Sequence, residues 1–192
     1  MNSLDLLKSA ANHIQPLSDK AWEDFAACWK AFSVKRKETI TKAGEKEPYL
    51  YFVTEGVQRI YYLDDTREST IVLTYAPSFG GVMDSFLLQS PSRFYYESLT
   101  PSVFLRADYA SIASLMDKHP DILKLVHKGL TQAFSGLLER MVELQCFSSE
   151  EKFKELLQRS PHILTLVPHK YLANYLGIDA TNFSKLINSV RI

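Results

Sequence analysis

Between residues 49 and 108 the chain alternates short β-branched and aromatic runs with turn signals, and no other feature limits its fold as strongly. "YLYFVTEG" (49–56), "VQRIYYLDD" (57–65), "STIVLTYA" (69–76), "RFYYESL" (93–99) and "SVFLRAD" (102–108) each have the length and composition of a strand. Glu55-Gly56 and Asp64-Asp65 read as the turns between them. Many short strands with tight turns bury their inner faces best as an antiparallel sandwich or barrel. Residues 33 to 107 therefore predict the β-domain of an α+β chain.

Helical spacing flanks this region. Residues 3–14 and 18–32 carry it, with Trp22, Phe25, Ala26 and Trp29 on one face and Ser18 as the expected N-cap. From 109 the chain turns helical again, and Pro120 suits a first helical turn. The stretch 121–146 contains no proline, and Gly129 and Gly136 are its only glycines. Leu130, Phe134, Leu137, Met141 and Leu144 alternate spacings of four and three, as in a heptad seam. The seam is little more than two heptads long, so packing on the chain's own β-domain accounts for part of it. Its breadth, with Leu138 and Val142 beside it, favours a second copy of the chain. "CFSSEEKF" (146–153) breaks the pattern, with Ser148 and Glu151 spaced as a capping box and a hinge expected near 147. The expected units are a β-domain with N-terminal helices (1–116), a long helix (117–146) and a terminal unit (147–192).

The terminal unit holds "VPHKYLANYLGIDATNFSKLINSVRI". Pro168 can start a helix, Gly177 can end it, and Asp179 can cap the next. In the second helix Phe183, Leu186, Ile187 and Val190 form an apolar face, while Thr181, Ser184, Lys185 and Asn188 form a polar one. A helix, a glycine turn and an amphipathic second helix make a helix-turn-helix pattern, whose polar face can meet base edges in a major groove. An ordinary solvated face fits the same residues, and arginine, the commonest base reader, is absent from it. The groove candidates are Thr181, Ser184, Lys185 and Asn188, with Asn182 at their flank; Lys170, Tyr171 and Arg191 are candidates for the phosphate backbone.

Charge says little: 22 basic residues balance 22 acidic ones, so no global field draws the chain to nucleic acid. Residues 147–192 carry six basic and four acidic side chains, a sign that suits DNA. No apolar run approaches the roughly 20 residues that span a bilayer, and the N-terminus does not read as a signal peptide, so a cytoplasmic protein without membrane partners is expected. Cys28 and Cys146 show no CxxC spacing and read as reduced, mostly buried thiols. The five histidines form no zinc motif, and no GxSxG, P-loop or GxGxxG occurs, so no metal, cofactor or enzymatic activity is expected. A cupin-type barrel enzyme would need histidines on its strands, and residues 33–107 have none.

In the order of its parts the chain resembles the Crp/Fnr family of transcription regulators. "YLYFVTEGVQRIYYLDD" is similar to the family's strand–glycine–strand hairpin, "FGGVMDSFLLQSPSRFYYESL" to its nucleotide-phosphate cassette, and "VPHKYLANYLGIDATNFSKLI" to its DNA-binding helices, most closely in small members of Bacteroidetes type. The resemblance implies a cyclic-nucleotide-binding-like antiparallel barrel (a double-stranded jelly roll), a long dimerisation helix and a winged-helix-like helix-turn-helix. It implies a regulator that binds double-stranded DNA as a homodimer, takes a small-molecule effector in the barrel and contacts RNA polymerase. The cassette would supply Gly80, Gly81, Ser92 and Arg93 as ligand residues. It departs from the family pattern: Gly81 stands where a ribose-binding glutamate is usual, and Ser92-Arg93 reverses the usual arginine–hydroxyl order. A cyclic nucleotide is therefore not the expected effector. The alternative is a ligand-binding module of the same barrel whose C-terminal helices make protein contacts.

Overall fold

The computed structural model describes residues 2–189. Two helices, α1 (Ser3–Ile14) and α2 (Asp19–Ala27), precede the strands. Asn2 and Asp5 close a capping box at the start of α1. The strands are β1 (Lys30–Val34), β2 (Thr39–Thr41), β3 (Tyr49–Glu55), β4 (Val57–Leu63), β5 (Glu68–Tyr75), β6 (Ser78–Gly80), β7 (Tyr95–Ser98) and β8 (Ser102–Asp108). A short helix, α3 (Met83–Leu88), lies between β6 and β7. The strands form two antiparallel sheets, ordered β1-β8-β3-β6 and β2-β7-β4-β5, the expected jelly-roll sandwich.

Strand alternation divides the core in two. Along β3, Tyr51 and Val53 turn into the sandwich with Ile60, Tyr96 and Phe104, whereas Leu50 and Phe52 turn outward. The outward pair joins Leu7, Phe25, Phe86 and Ile112 beneath α1, α2, α3 and two further helices, α4 (Tyr109–Lys118) and α5 (Pro120–Cys146). The last part is helical: α6 (Ser149–Arg159), α7 (Ile163–Leu166), α8 (His169–Leu176) and α9 (Ala180–Ser189). Between α5 and α6, Phe147 is extended (φ −91°, ψ 143°), and Ser148 forms the expected capping box with Glu151.

Four expectations need correction. The helix read over 18–32 ends at Ala27, and Lys30–Val34 is a strand paired with β8. Trp29 kept the helical spacing because it packs edge-on against Phe25 (centroids 5.4 Å apart) from outside the helix. Ser18 precedes α2 without capping it; its N–H and hydroxyl both donate to Asp121 of α5 at 2.8 Å. Cys28 is half-buried, but Cys146, at the end of α5, is exposed. Among the described residues no strand follows β8, so the terminal unit has no wing there. No described helix is long and apolar enough to cross a membrane.

Candidate functional site

The turn between α8 and α9 follows from its residues. Gly177 ends α8 in the left-handed region (φ +65°), where glycine has no Cβ penalty. The Asp179 carboxylate then accepts from the Asn182 N–H at 2.8 Å and starts α9. Phe183 and Leu186 are buried, and Phe183 meets Phe153 of α6 edge-on at 5.5 Å. This leaves Thr181, Ser184, Lys185 and Asn188 together on the exposed side. Asn182 does not join them. It is half-buried, and its side-chain amide donates to Ser149 Oγ at 3.3 Å, which ties α9 to α6.

Of the three backbone candidates, Lys170 is exposed and Arg191 lies outside the described residues. Tyr171 overturns its assignment: it is buried against the β-domain, so no phosphate can reach its ring there. Its hydroxyl accepts from Lys37, and the Arg59 guanidinium lies between the rings of Tyr61 and Tyr171, 3.9 and 4.5 Å from their centroids. Arg59 in turn grips both Glu68 oxygens (2.6 and 3.1 Å) and reaches Glu97. Burial would raise the Tyr171 phenol, but Lys37 and Lys170 outweigh it and hold the phenol below its ordinary range. Asn174 completes the contact by pairing with the β5 backbone: its Oδ1 accepts from Thr70 N–H (2.6 Å) and its amide donates to the Glu68 carbonyl (2.8 Å). The sequence of α8, with Lys170, Tyr171 and Asn174 among its polar groups, gave no sign that one side of it faces a sheet.

A second joint links α5 to the terminal unit. Glu143 and Arg140, both on α5, are buried, and Glu143 accepts from Arg140 (2.9 Å) and from both guanidinium nitrogens of Arg159 on α6. Arg140 also donates to the Tyr175 carbonyl and lies 4.1 Å over the Tyr175 ring. Burial works to raise the Glu143 carboxyl, yet its hydrogen bonds to Arg159 and Arg140 keep it below the ordinary carboxylate range. Beyond this joint α5 leaves an apolar stripe bare: Phe134 (62% exposed), Leu137, Leu138, Met141, Val142 and Leu144. The chain's own β-domain does not cover these residues.

The cassette residues fare differently. Gly80 and Gly81 are buried at the start of α3, and a Cβ on Gly80 would come within 2.8 Å of the Tyr96 hydroxyl. Tyr51 and Tyr96 fill the sandwich interior beside them, their rings 5.7 Å apart. The side chain at the head of α3 belongs to a residue the sequence did not single out. Glu47 is fully buried, and its carboxylate accepts from Thr41 (2.6 Å), Tyr49 N–H (3.3 Å) and Val82 N–H (3.4 Å). Burial pushes this carboxyl up from its ordinary value against those hydrogen bonds. Ser92 is buried, with its hydroxyl engaged by the Phe94 backbone on both sides (2.7 and 2.9 Å). Arg93 is exposed, and Tyr96, three residues on, fills the interior without bringing the guanidinium in. A glutamate in the charged run Glu45-Lys46-Glu47 ahead of Pro48 has the sequence signature of a solvated turn, which is why it passed unnoticed.

The cyclic nucleotide-binding domain family matches residues 31–119. FixK2 from Bradyrhizobium japonicum superposes with a TM-score of 0.75 at 15% identity, covering 83% of each chain. A protein from Eubacterium rectale described as a transcriptional regulator of the Crp/Fnr family gives 0.69 at 16%, covering 90% of this chain and 82% of that one. The chain has the Crp/Fnr fold. A third structure with this fold, the c-di-GMP-responsive global regulator CLP from Xanthomonas campestris, gives 0.66 at 17% identity, covering 89% and 90% of the two chains. No curated protein matches the sequence. In this chain a carboxylate and two tyrosines, Glu47, Tyr51 and Tyr96, occupy the cassette region.

Proposed function

We propose that this protein is a transcription regulator that binds double-stranded DNA as a homodimer. One observation carries the reading: Thr181, Ser184, Lys185 and Asn188 share an exposed polar face on α9, backed by buried Phe183 and Leu186. The stripe on α5 supports the dimer, because two copies joined along it would bury the large side chains each leaves bare. A two-fold pair would then present two α9 helices about 34–36 Å apart, the repeat of a major groove. Residues 1–116 act as the sensor domain, 117–146 as the dimer helix and 147–192 as the DNA-binding unit. Lys185 reads bases; Lys170 holds the backbone, and Arg191 keeps that role from the sequence. RNA polymerase is the further partner such a regulator would have.

The interior does not suit a cyclic nucleotide. Glu47, Tyr51 and Tyr96 crowd the interior, and Arg93, the basic residue among the cassette candidates, is exposed and does not point a charge into it. An effector would act elsewhere or by displacing these groups. A second reading, a module whose terminal helices contact protein, draws support from α8, whose Tyr171 and Asn174 are committed to the β-domain. A gel-shift with the protein's own upstream DNA at two salt concentrations separates the two. Specific binding that weakens steeply with salt is the expected result. Absence of any sequence preference would leave the second reading standing.

A further inference from the structure

A cavity of about 690 Å³ lies between α1, α3, α5 and the outer face of the first sheet. It is on the far side of β3 from Glu47: Leu50 lines it, whereas Tyr51 faces the sandwich interior. Phe25, Phe86, Ile112 and Leu125 belong to its lining and to the buried core, so its floor is rigid. Small residues keep its walls apart, Ala10 on α1 and Gly129 and Ala133 on α5. A Cβ on Gly129 would meet nothing within 4 Å.

Voids much larger than a water molecule are few in packed domains, and ligand pockets run from about 300 to 1,000 Å³. The lining defines the chemistry. It contains no lysine or arginine, and most of it is apolar. Ser9, His13 and Gln132 are exposed and form a hydrogen-bonding rim beside an apolar body. Leu130 lines the cavity and also begins the seam that continues through Phe134 and Leu137. A molecule seated there would touch the dimer helix directly.

We propose that this cavity is an effector site for a single-chain amphiphile, its apolar tail against Phe25, Phe86 and Leu125 and a carboxylate head at His13 and Gln132. Binding itself is independent of the regulator reading; the consequence for DNA rests on it. The test uses the full chain and terminally brominated undecanoate, with quenching of tryptophan fluorescence as the readout. Trp29 serves as reporter because its ring packs on Phe25 and on Phe79, both in the lining (5.4 and 6.2 Å). Saturable quenching is expected, weakened about tenfold or more in Gly129→Phe, whose ring fills the space without changing the circular dichroism. His13→Ala should weaken the carboxylate more than brominated undecanol. No saturable quenching, or equal quenching in Gly129→Phe, overturns the proposal. So does loss on Leu137→Glu with none on Gly129→Phe, because the amphiphile would then be lying on the bare stripe. A failed gel-shift alongside preserved quenching would sink the regulator reading and leave the site intact.

Discussion

Replacing Glu143 by glutamine removes a carboxylate that joins the long helix to the terminal unit. The shape is kept, but the new amide nitrogen faces donors on Arg140 and Arg159. Taking one partner from a buried ion pair costs about 3–5 kcal/mol, because the other charge stays buried without compensation. Here the cost divides unevenly. The Arg140 side chain is 8% exposed and keeps only the Tyr175 carbonyl and ring, whereas Arg159 is 38% exposed and regains water. Discounting the solvated half brings the expected loss to about 2–3 kcal/mol. In urea, with a slope of about 1–3 kcal/mol per molar for a domain of ordinary size, the midpoint should fall by roughly 1 M at unchanged slope. The effect should also depend on pH in a fixed direction. The Glu143 carboxyl is held low in the folded chain. Its contribution is therefore complete above the carboxylate range of the unfolded chain, and is lost as pH falls through the folded value. The gap between the wild type and Glu143→Gln should narrow as the solution is acidified below about pH 4. A loss under about 0.5 kcal/mol at neutral pH, the level of an ordinary surface change, would refute the reasoning. A gap that stays constant into acid would refute it equally.

Leu137→Glu should convert the proposed dimer to a monomer in sedimentation at micromolar protein, since it sets a charge in each half of the seam; a wild type that is already monomeric, or a variant that stays dimeric, would overturn the α5 interface. Lys185→Ala should reduce discrimination between the operator and a mismatched site by about 1–3 kcal/mol, whereas Lys170→Ala should weaken all sites alike and flatten the salt slope. Discrimination left intact in Lys185→Ala would remove α9 from the groove. Glu47→Gln should be no less stable than the wild type at neutral pH, because burial raises this carboxyl and the fold favours its uncharged form. That advantage should vanish on acidification, as the wild-type carboxyl also takes up its proton, and urea melts across the acid range would read it. A variant markedly weaker at neutral pH would mean that the Thr41 and Val82 hydrogen bonds outweigh desolvation.

How far the sequence can be read depends on whether a property is local. The strand runs from 49 to 108, the capping box at Ser148 and Glu151, the glycine end of α8 and the seam on α5 all lie where their spacing places them. The caps rest on contacts between residues a few positions apart, and the strands and the stripe on a side-chain periodicity written in order along the chain. Trp29 shows the limit: apolar spacing persists past the end of α2 because the ring packs on the same core from the link ahead of β1.

Charged and polar side chains took their places from partners far along the chain. Glu47 and Val82 meet only because β3 and β6 pair, and Tyr171 reaches Lys37 and Arg59 only because α8 lies on the second sheet. The sequence alone determined the strand runs between 49 and 108 and the long helix, that α9 has two chemically distinct faces, and that α5 carries an apolar stripe. Tertiary structure decided which polar groups are buried, which of the proposed contacts remain exposed, and what fills the sandwich interior. The reason is that apolar patterning marks the buried face of a segment whatever covers it, whereas burying a charge or phenol requires a particular partner, and any segment the fold brings near can supply it.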